Sequence, residues 1–300
     1  MKIAILSRGP QLYSTRSLVR AGMARRHEMH IVDHTRCSLV VEAGTPNIYY
    51  DGLPLSQFDA VIPRIGASVT SLGASVISQF EAMGVFCATS SKALLQARDK
   101  LRCLQQLVQH GLQVPSTIAV ADGQDLWSAV EHLGGLPVVV KLLEGTHGLG
   151  VVLADSYRTV EATVEAFKRL RERVILQEFI REAAGADVRV LVVGGRVVAA
   201  MSRQARRGEF RSNLHRGAKA GPAVLSPEEE AIALRSVGLM GLDIGGVDFL
   251  RSERGPLVLE VNASPGLEGI ETASGANVAD AILQFVEGQR RGAKNKQHSP

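Results

Sequence analysis

The connections between apolar runs constrain this chain more than the runs themselves do. Over roughly the first ninety residues the connections have helical spacing. "KIAILS" leads into "STRSLVRAGMARR", "HEMHIVD" and "FDAVIPRIG" return as strands, "SLGASVISQFEAMG" is helical, and "VFCATS" is a further strand. Short strands alternating with helices predict a parallel α/β sheet. Beyond about residue 135 the connections shrink to glycine turns. "LPVVVKLLEGTHGLGVVLA" reads as strand, turn, strand, "LVVGGRVVAA" turns tightly, and "GVDFLRSERGPLVLEVNASPG" is another hairpin. Antiparallel strands accept such short turns and parallel strands do not. The expected class is α/β, with a parallel sheet first and antiparallel sheets after it.

Between these halves "SKALLQARDKLRCLQQLVQHG" predicts one long amphipathic helical region ending at Gly111. "SPEEEAIALRSVGLMG" predicts a helix capped by Ser226, with Pro227 in its first turn. "ANVADAILQFVEG" is a last helix, and the polar, basic "QRRGAKNKQHSP" is expected to be disordered. The length of 300 residues suits two compact units or one large one, and 45% hydrophobic content supplies a core, which argues against disorder. Only 4% is aromatic, so that core must be Val, Leu, Ile and Ala. The net charge of +4 fits meetings with anions but is also common in ordinary soluble proteins. Cys37, Cys87 and Cys103 lack metal spacing and are expected as free thiols in a reducing compartment. "MKIAILSRGP" reaches Ser7 and Arg8 too soon for a signal peptide, and no stretch has membrane-spanning length. A cytoplasmic protein is the expectation.

Four stretches carry candidate chemistry. In "VLEVNASPGLEG" Glu260 and Asn262 lie two residues apart, so a strand projects them to one face, and the preceding hairpin strand brings Asp248 across from them. Two carboxylates and an amide form a hard-oxygen set suited to Mg²⁺; the same pattern also serves a hydrogen-bonded buried acid. Lys141 ends an apolar strand, and Gly145, Gly148 and Gly150 punctuate the turn after it. Such glycines let main-chain N–H groups approach phosphate, though an ordinary glycine hairpin with a surface lysine reads alike. "VILQEFI" runs into Gln177 and Glu178, where strand-to-strand backbone can meet an adenine edge, and Asp187 further on can accept from ribose hydroxyls. "SRQARRGEFRSNLHRGAKAG" concentrates Arg203, Arg206, Arg207, Arg211, His215, Arg216 and Lys219 around one aromatic, Phe210. It reads as a loop closing over polyanions, a solvated basic loop, or an RNA patch. His30, His34 and Cys37 lack a fourth zinc ligand, no G-x-S-x-G elbow occurs, no G-x-G-x-x-G follows the first strand, and Trp127 reads as helix packing.

In their order, these stretches resemble the ATP-grasp superfamily: Lys100 after "ARD", Lys141 with its glycine hairpin, "LQEFI", the arginine loop, Asp248 and "EVNASPG". "ARDKLRCLQQL", "EGTHGLGVVLA", "REAAGADVRVLVVGGRVVAAMSR", "RSNLHRGA" and "LEVNASPGLEGIE" narrow the resemblance to the RimK group of peptide ligases. That group adds glutamate to the C-terminus of small-ribosomal-subunit protein six. Leu142 stands where the wider superfamily often has proline.

The resemblance implies an N-terminal Rossmann-like pre-ATP-grasp domain over 1–95 and a two-lobed ATP-grasp fold with antiparallel sheets over 96–290. Its lobes are about 96–177 and 178–290, and the basic tail is 291–300. It implies that Lys100 and Lys141 meet ATP phosphates under a flap from Gly145 through Gly148 to Gly150. Glu178 and Phe179 hold adenine, Asp187 the ribose, and Asp248, Glu260 and Asn262 two Mg²⁺ ions, with Mn²⁺ as a substitute. Arg203, Arg211 and Asn213, with Ser212 between the last two, face the γ-phosphate, an acyl-phosphate or the carboxylate substrate. Lys141, Arg203, Arg211 and Asn213 are thus the implied catalytic set. The implied partners are L-glutamate, the acidic C-terminal tail of a small-ribosomal-subunit protein and further copies of the chain, with no nucleic acid and no membrane. The rivals are an amino-acid ligase of the same fold acting on a small molecule, and a non-catalytic, nucleotide-regulated ribosome-binding module.

Overall fold

The computed structural model describes residues 1–296 except 56, 124, 144–149 and 215–216, and side chains up to residue 289. The first unit runs β1 (Lys2–Leu6), α1 (Tyr13–Ala24), β2 (Glu28–Val32), β3 (Cys37–Val40), β4 (Asn47–Tyr50), β5 (Leu53–Pro54), β6 (Ala60–Pro63), α2 (Thr70–Ala82) and β7 (Phe86–Cys87). Its main sheet has the order β2-β1-β6-β7, all parallel, as the helical connections require. The antiparallel sheet β3-β4-β5 is an addition that the periodicity did not suggest.

The expected long helix is two: α3 (Ser91–Arg98) and α4 (Lys100–Gln109). Asp99 has extended backbone, and its carboxylate accepts from the Arg102 N–H at 3.1 Å. An aspartate that caps the second helix ends the first, and this puts Lys100 at the opening turn of α4.

The next lobe contains β8 (Thr117–Ala119), α5 (Leu126–His132), β9 (Val138–Leu142), β10 (Val151–Ala154), α6 (Tyr157–Arg169) and β11 (Val174–Glu178), with an antiparallel sheet ordered β10-β9-β11-β8. Its core, which includes Val130, Val138, Val140, Val160 and Leu176, is separate from the rest. Trp127 on α5 is not core packing: it is 53% exposed and stacks on Tyr157.

The last section holds β12 (Ala186–Val193), β13 (Arg196–Gln204), β14 (Lys219–Pro222), α7 (Pro227–Leu239), β15 (Ile244–Ser252), β16 (Gly255–Asn262), α8 (Glu268–Ser274) and α9 (Val278–Lys296). Gly194 and Gly195, both at positive φ, make the β12–β13 turn. Ser226 and Glu229 form a full capping box at α7. The five-stranded sheet has the order β14-β13-β12-β15-β16 and shares its core with the first unit: Phe80, Val61, Leu94 and Leu107 lie in one cluster with Val190, Val247 and Phe249. By packing, then, α3 and α4 join the large body and not the lobe expected to begin at 96.

The expected disordered tail is corrected over 291–296, which continue α9; Arg, Ala and Lys are good helix formers and no proline intervenes before Pro300. Among the described residues no helix is long and apolar enough to cross a membrane. All three cysteines are free, and burial pushes their thiols up, Cys37 to about 11 and Cys87 and Cys103 to about 12.

Candidate active site

One face of the five-stranded sheet is charged where a sheet buried on both sides would be apolar. Directly opposed residues on antiparallel strands share a face, and the register opposes Asp187 to Arg203, Arg189 to Asp248, and Asp248 to Glu260, with Asn262 opposite Gly246. A bulge decides the outcome on β16. The register shifts between Asp248 and Phe249, so that Phe249 pairs with Val258 and Leu259 is the extra residue. Strict alternation would put Val258, Glu260 and Asn262 on one face. The bulge sends Val258 and Val261 into the core and leaves Glu260 and Asn262 in the cleft.

The charges on this face pair before any ligand arrives. Arg189 Nε donates to Asp248 Oδ1 at 2.6 Å, and Arg203 donates to Asp248 Oδ2 at 2.9 Å and to both Asp187 oxygens at 2.6 and 2.7 Å. Ser212 Oγ donates to Asp187 at 2.5 Å. Burial would raise the Asp248 carboxyl; the Arg189 and Arg203 guanidiniums overcome it and hold it well below the usual carboxylate range. Asp187, expected as a ribose acceptor, therefore has both oxygens engaged by Arg203. Arg203 is held by two carboxylates and is not a free anion-binding fork.

Lys141 ends β9 and donates to the Gln177 side chain on β11 at 2.5 Å. Burial pushes its ammonium down to about 8, Glu260 pulls it up and Lys100 pushes it down. Lys100 Nζ reaches the Leu142 carbonyl at 3.4 Å. Gly150 closes the β9–β10 turn at positive φ, and a Cβ there would strike the Leu142 side chain. Gly145 and Gly148 lie outside the described residues, as do His215 and Arg216. Glu178 points its carboxylate at the Ser116 N–H (2.7 Å) and Arg254 (2.6 Å), and its own N–H donates to the Ser116 carbonyl. Phe179 meets Phe210 edge-on at 6.3 Å, which joins the β11 exit to the basic loop. Arg211 in that loop is paired with Glu209 at 2.7 Å and donates to the Val151 carbonyl on β10 at 3.1 Å, so the loop ties the two sheets together across the cleft. Asn213 lines the cleft.

Most of these side chains open on one cleft of about 2270 Å³, well above the roughly 300–1,000 Å³ of a single small-molecule pocket, so it has room for more than one substrate. Ten cationic and six acidic side chains line it. That excess favours a polyanion. Sequence reading missed Arg189, Arg98 and Arg64, and it named Gln177 without its contact to Lys141. Arg189 was signalled by its spacing of two from Asp187 on one strand. Arg64 was signalled by its place at the C-terminal end of a parallel strand, where open α/β sheets bind ligands.

The donor set fits a divalent hard cation. Among the described residues no three His, Cys, Asp or Glu side chains gather into a metal cage. Glu260 and the Asn262 amide offer oxygens at the cleft, with Glu260 Oε1 accepting from Asn262 at 3.1 Å, while Asp248, whose two oxygens are held by Arg189 and Arg203, joins a cation only by giving up one of those contacts. An incomplete all-oxygen set leaves positions for phosphate and water, the habit of Mg²⁺.

Comparison with known proteins matches residues 97–286 to a RimK-like ATP-grasp domain and residues 1–94 to a RimK PreATP-grasp domain. The chain is 51% identical over 296 residues to a probable alpha-L-glutamate ligase of Syntrophotalea carbinolica, covering 99% of this chain and 98% of that one. It is 53% identical to the protein of the same description from Teredinibacter turnerae, again over 99% and 98%. Among solved structures, the ATP-grasp ligase PsnB complexed with a phosphomimetic variant of minimal precursor, Mg and ADP superposes with a TM-score of 0.74 at 21% identity, over 96% of this chain and 98% of PsnB. A RimK domain protein ATP-grasp from Sphaerobacter thermophilus gives 0.71 at 23%, over 95% and 99%. These structural likenesses carry the fold: a pre-ATP-grasp domain followed by an ATP-grasp fold with antiparallel sheets.

Proposed function

Because this chain belongs to the RimK-like ATP-grasp family, we propose that it is an ATP-dependent carboxylate–amine ligase that joins L-glutamate to the C-terminus of an acidic protein tail, that of a small-ribosomal-subunit protein. The observation that carries the reading is the cleft: an excess of cationic side chains, with Lys100 and Lys141 near the Glu260 and Asn262 oxygens. The relatives' description as probable alpha-L-glutamate ligases supports glutamate as the amine.

A carboxylate is a poor electrophile, since oxide would have to leave. Phosphorylation by ATP converts it to an acyl-phosphate, and the glutamate α-amine then displaces phosphate. Such a transfer asks the protein for alignment and charge neutralisation. Asp248, Glu260 and Asn262 would hold Mg²⁺, two ions or Mn²⁺ in its place, and the ion supplies neutralising charge to the polyphosphate. Lys100 and Lys141 add fixed positive charge at the strand end. Glu178 and Phe179 would present main-chain groups to adenine. Arg189 and Arg203 keep Asp248 ionised. Arg211, Ser212 and Asn213, which line the cleft, would face the γ-phosphate, the acyl-phosphate or the carboxylate substrate. The division into a first domain to 95, two lobes to 290 and a tail is part of the same proposal, as are a homo-oligomeric assembly and a cytoplasmic setting.

Mass spectrometry of ribosomal proteins incubated with enzyme, ATP and glutamate tests the acceptor. Added glutamate units on a small-subunit protein are expected. Turnover confined to free small molecules would replace the protein acceptor with a small one.

Lys141 makes a sharper test of the nucleotide site. With its ammonium near 8, much of it is neutral at pH 8.5, and a polyphosphate beside it raises that value. Nucleotide binding at pH 8.5 should therefore take up protons, seen by calorimetry in buffers of different ionisation enthalpy. Lys141→Met should abolish the uptake and weaken binding roughly 10- to 100-fold, the worth of a charged hydrogen bond. Lys168→Met, on the outer face, should do neither. Equal effects from both would show that Lys141 does not meet the nucleotide.

The basic loop has its own test. Arg206 Nε holds the Gly217 carbonyl at 2.7 Å and shapes the loop, while Arg207 is exposed. Replacing both with alanine should raise the KM for the protein acceptor and leave that for ATP little changed, more visibly at low salt. A loss of affinity for ribosomal RNA alone would make the loop a docking patch.

A further inference from the structure

Arg64 and Arg98 meet in the cleft, each held by a main-chain carbonyl. Arg64 leaves β6 and donates to the Pro265 carbonyl at 2.5 Å; Arg98 ends α3 and donates to the Ile65 carbonyl at 2.5 Å. Among the described residues neither guanidinium forms an ion pair, and Arg98 Nε is buried with no hydrogen-bond partner. A guanidinium has five donors, so much of each fork is unused. Burial, with Arg98 adding to it, pushes Arg64 down to about 10. Two like charges this close are unfavourable until an anion joins them.

Their position says which anion. Lys141 stands on β9 of the smaller lobe, whereas Arg64 follows β6 of the first unit and holds the carbonyl of Pro265, just beyond the Glu260–Asn262 end of β16. Lys141 therefore marks the nucleotide lobe, and Arg64 and Arg98 mark the first-unit side of the cleft, beside the Pro265 turn. We propose that Arg64 and Arg98 form the subsite for the α-carboxylate of the incoming amino acid, the substrate that supplies the amine. This rests on the ligase reading above.

The chemistry favours that group over the acceptor's carboxyl. The acceptor's carboxyl is activated, so it must lie beside the phosphates and lose its charge. The α-carboxylate of the incoming amino acid stays ionised throughout and needs a permanent counter-charge, which two arginines supply. Held there, it fixes the neighbouring amine, one carbon away, on the acyl-phosphate side.

The test pairs variants with altered substrates. ADP formation is followed with an acceptor peptide ending in glutamates, using L-glutamate, its α-amide and its γ-amide, for wild type, Arg64→Gln, Arg98→Gln and Arg98→Lys. The wild type should discriminate against the α-amide. Either Gln variant should raise the KM for glutamate roughly 10- to 100-fold, leave that for ATP little changed, and lose discrimination against the α-amide while keeping it against the γ-amide. Arg98→Lys should restore part of the affinity. A purely structural role for the two carbonyl contacts would shift ATP and glutamate together and leave α-amide discrimination intact, which overturns the assignment. If the wild type uses another amino acid in place of glutamate, the glutamate reading fails by itself, and the α-amide comparison with that amino acid still decides the arginines.

Discussion

Glu260→Gln is expected to give a folded protein that forms ADP at least about 100-fold more slowly than wild type, a loss of roughly 2.7 kcal/mol or more from the transition state. The change keeps the side-chain shape and the reach to Asn262 and removes only the charge. That charge acts on the oxygen set, where it stands opposite Asp248, on the phosphate lysine, where it offsets the cost of burying Lys141, and on Arg98 of the paired arginines. Because Glu260 is only half-buried, its loss should leave thermal stability near that of wild type. Excess Mg²⁺ should recover part of the rate. Wild-type turnover by the variant at limiting Mg²⁺ would sink the metal assignment.

The largest expected effect on stability lies on the same sheet, at the buried Arg203. Arg203→Met should destabilise the fold by about 3–5 kcal/mol, the usual result of removing one partner from a buried ion pair. Asp248 keeps Arg189 as a partner, but Asp187, itself buried, keeps only the Ser212 hydroxyl. Burial already raises the Asp187 carboxyl against the pull of Arg203, and without Arg203 it rises further above the unfolded value. A group raised in this way stabilises the fold below its unfolded pKa and loses that contribution as pH rises. The deficit of Arg203→Met should therefore narrow between pH 7 and pH 5, measured by urea unfolding at each pH. A deficit under about 1 kcal/mol at pH 7 would mean that the network is solvated and contributes little.

The helix break at Asp99 illustrates what local pattern cannot decide. Apolar spacing runs through "LLQARDKLRCLQQL" without interruption, and Asp99 has the right chemistry either to continue a helix surface or to cap a new one. Capping requires the chain to turn there, and the turn is stabilised by tertiary contacts: Gln96 with the Leu239 carbonyl and Arg98 with the Ile65 carbonyl. Lys100 faces the cleft only because of that turn. The basic stretch is a similar case. Its composition announced anion chemistry, yet Arg203 is occupied by aspartates and Arg211 by Glu209 and a β10 carbonyl, partners up to 60 residues distant in the chain.

What the sequence by itself determined is everything with a short period. Connection length set one parallel sheet and the later hairpins, Ser226 and Pro227 set the start of α7, and a spacing of two put Glu260 and Asn262 on one face. Those features follow from backbone sterics and neighbouring hydrogen bonds, which act over a few residues. Only the tertiary structure decided which way that face points. The bulge at Leu259 exists because β16 must bury Val258 and Val261 against the core and still present Glu260 to the cleft, and its partner strand absorbs the mismatch. The same holds for the Asp187–Arg203–Asp248–Arg189 ladder and for the meeting of Arg64 with Arg98. Each depends on strands brought together from far apart in the chain, and the energy of a buried charge is set by the neighbours that folding gives it.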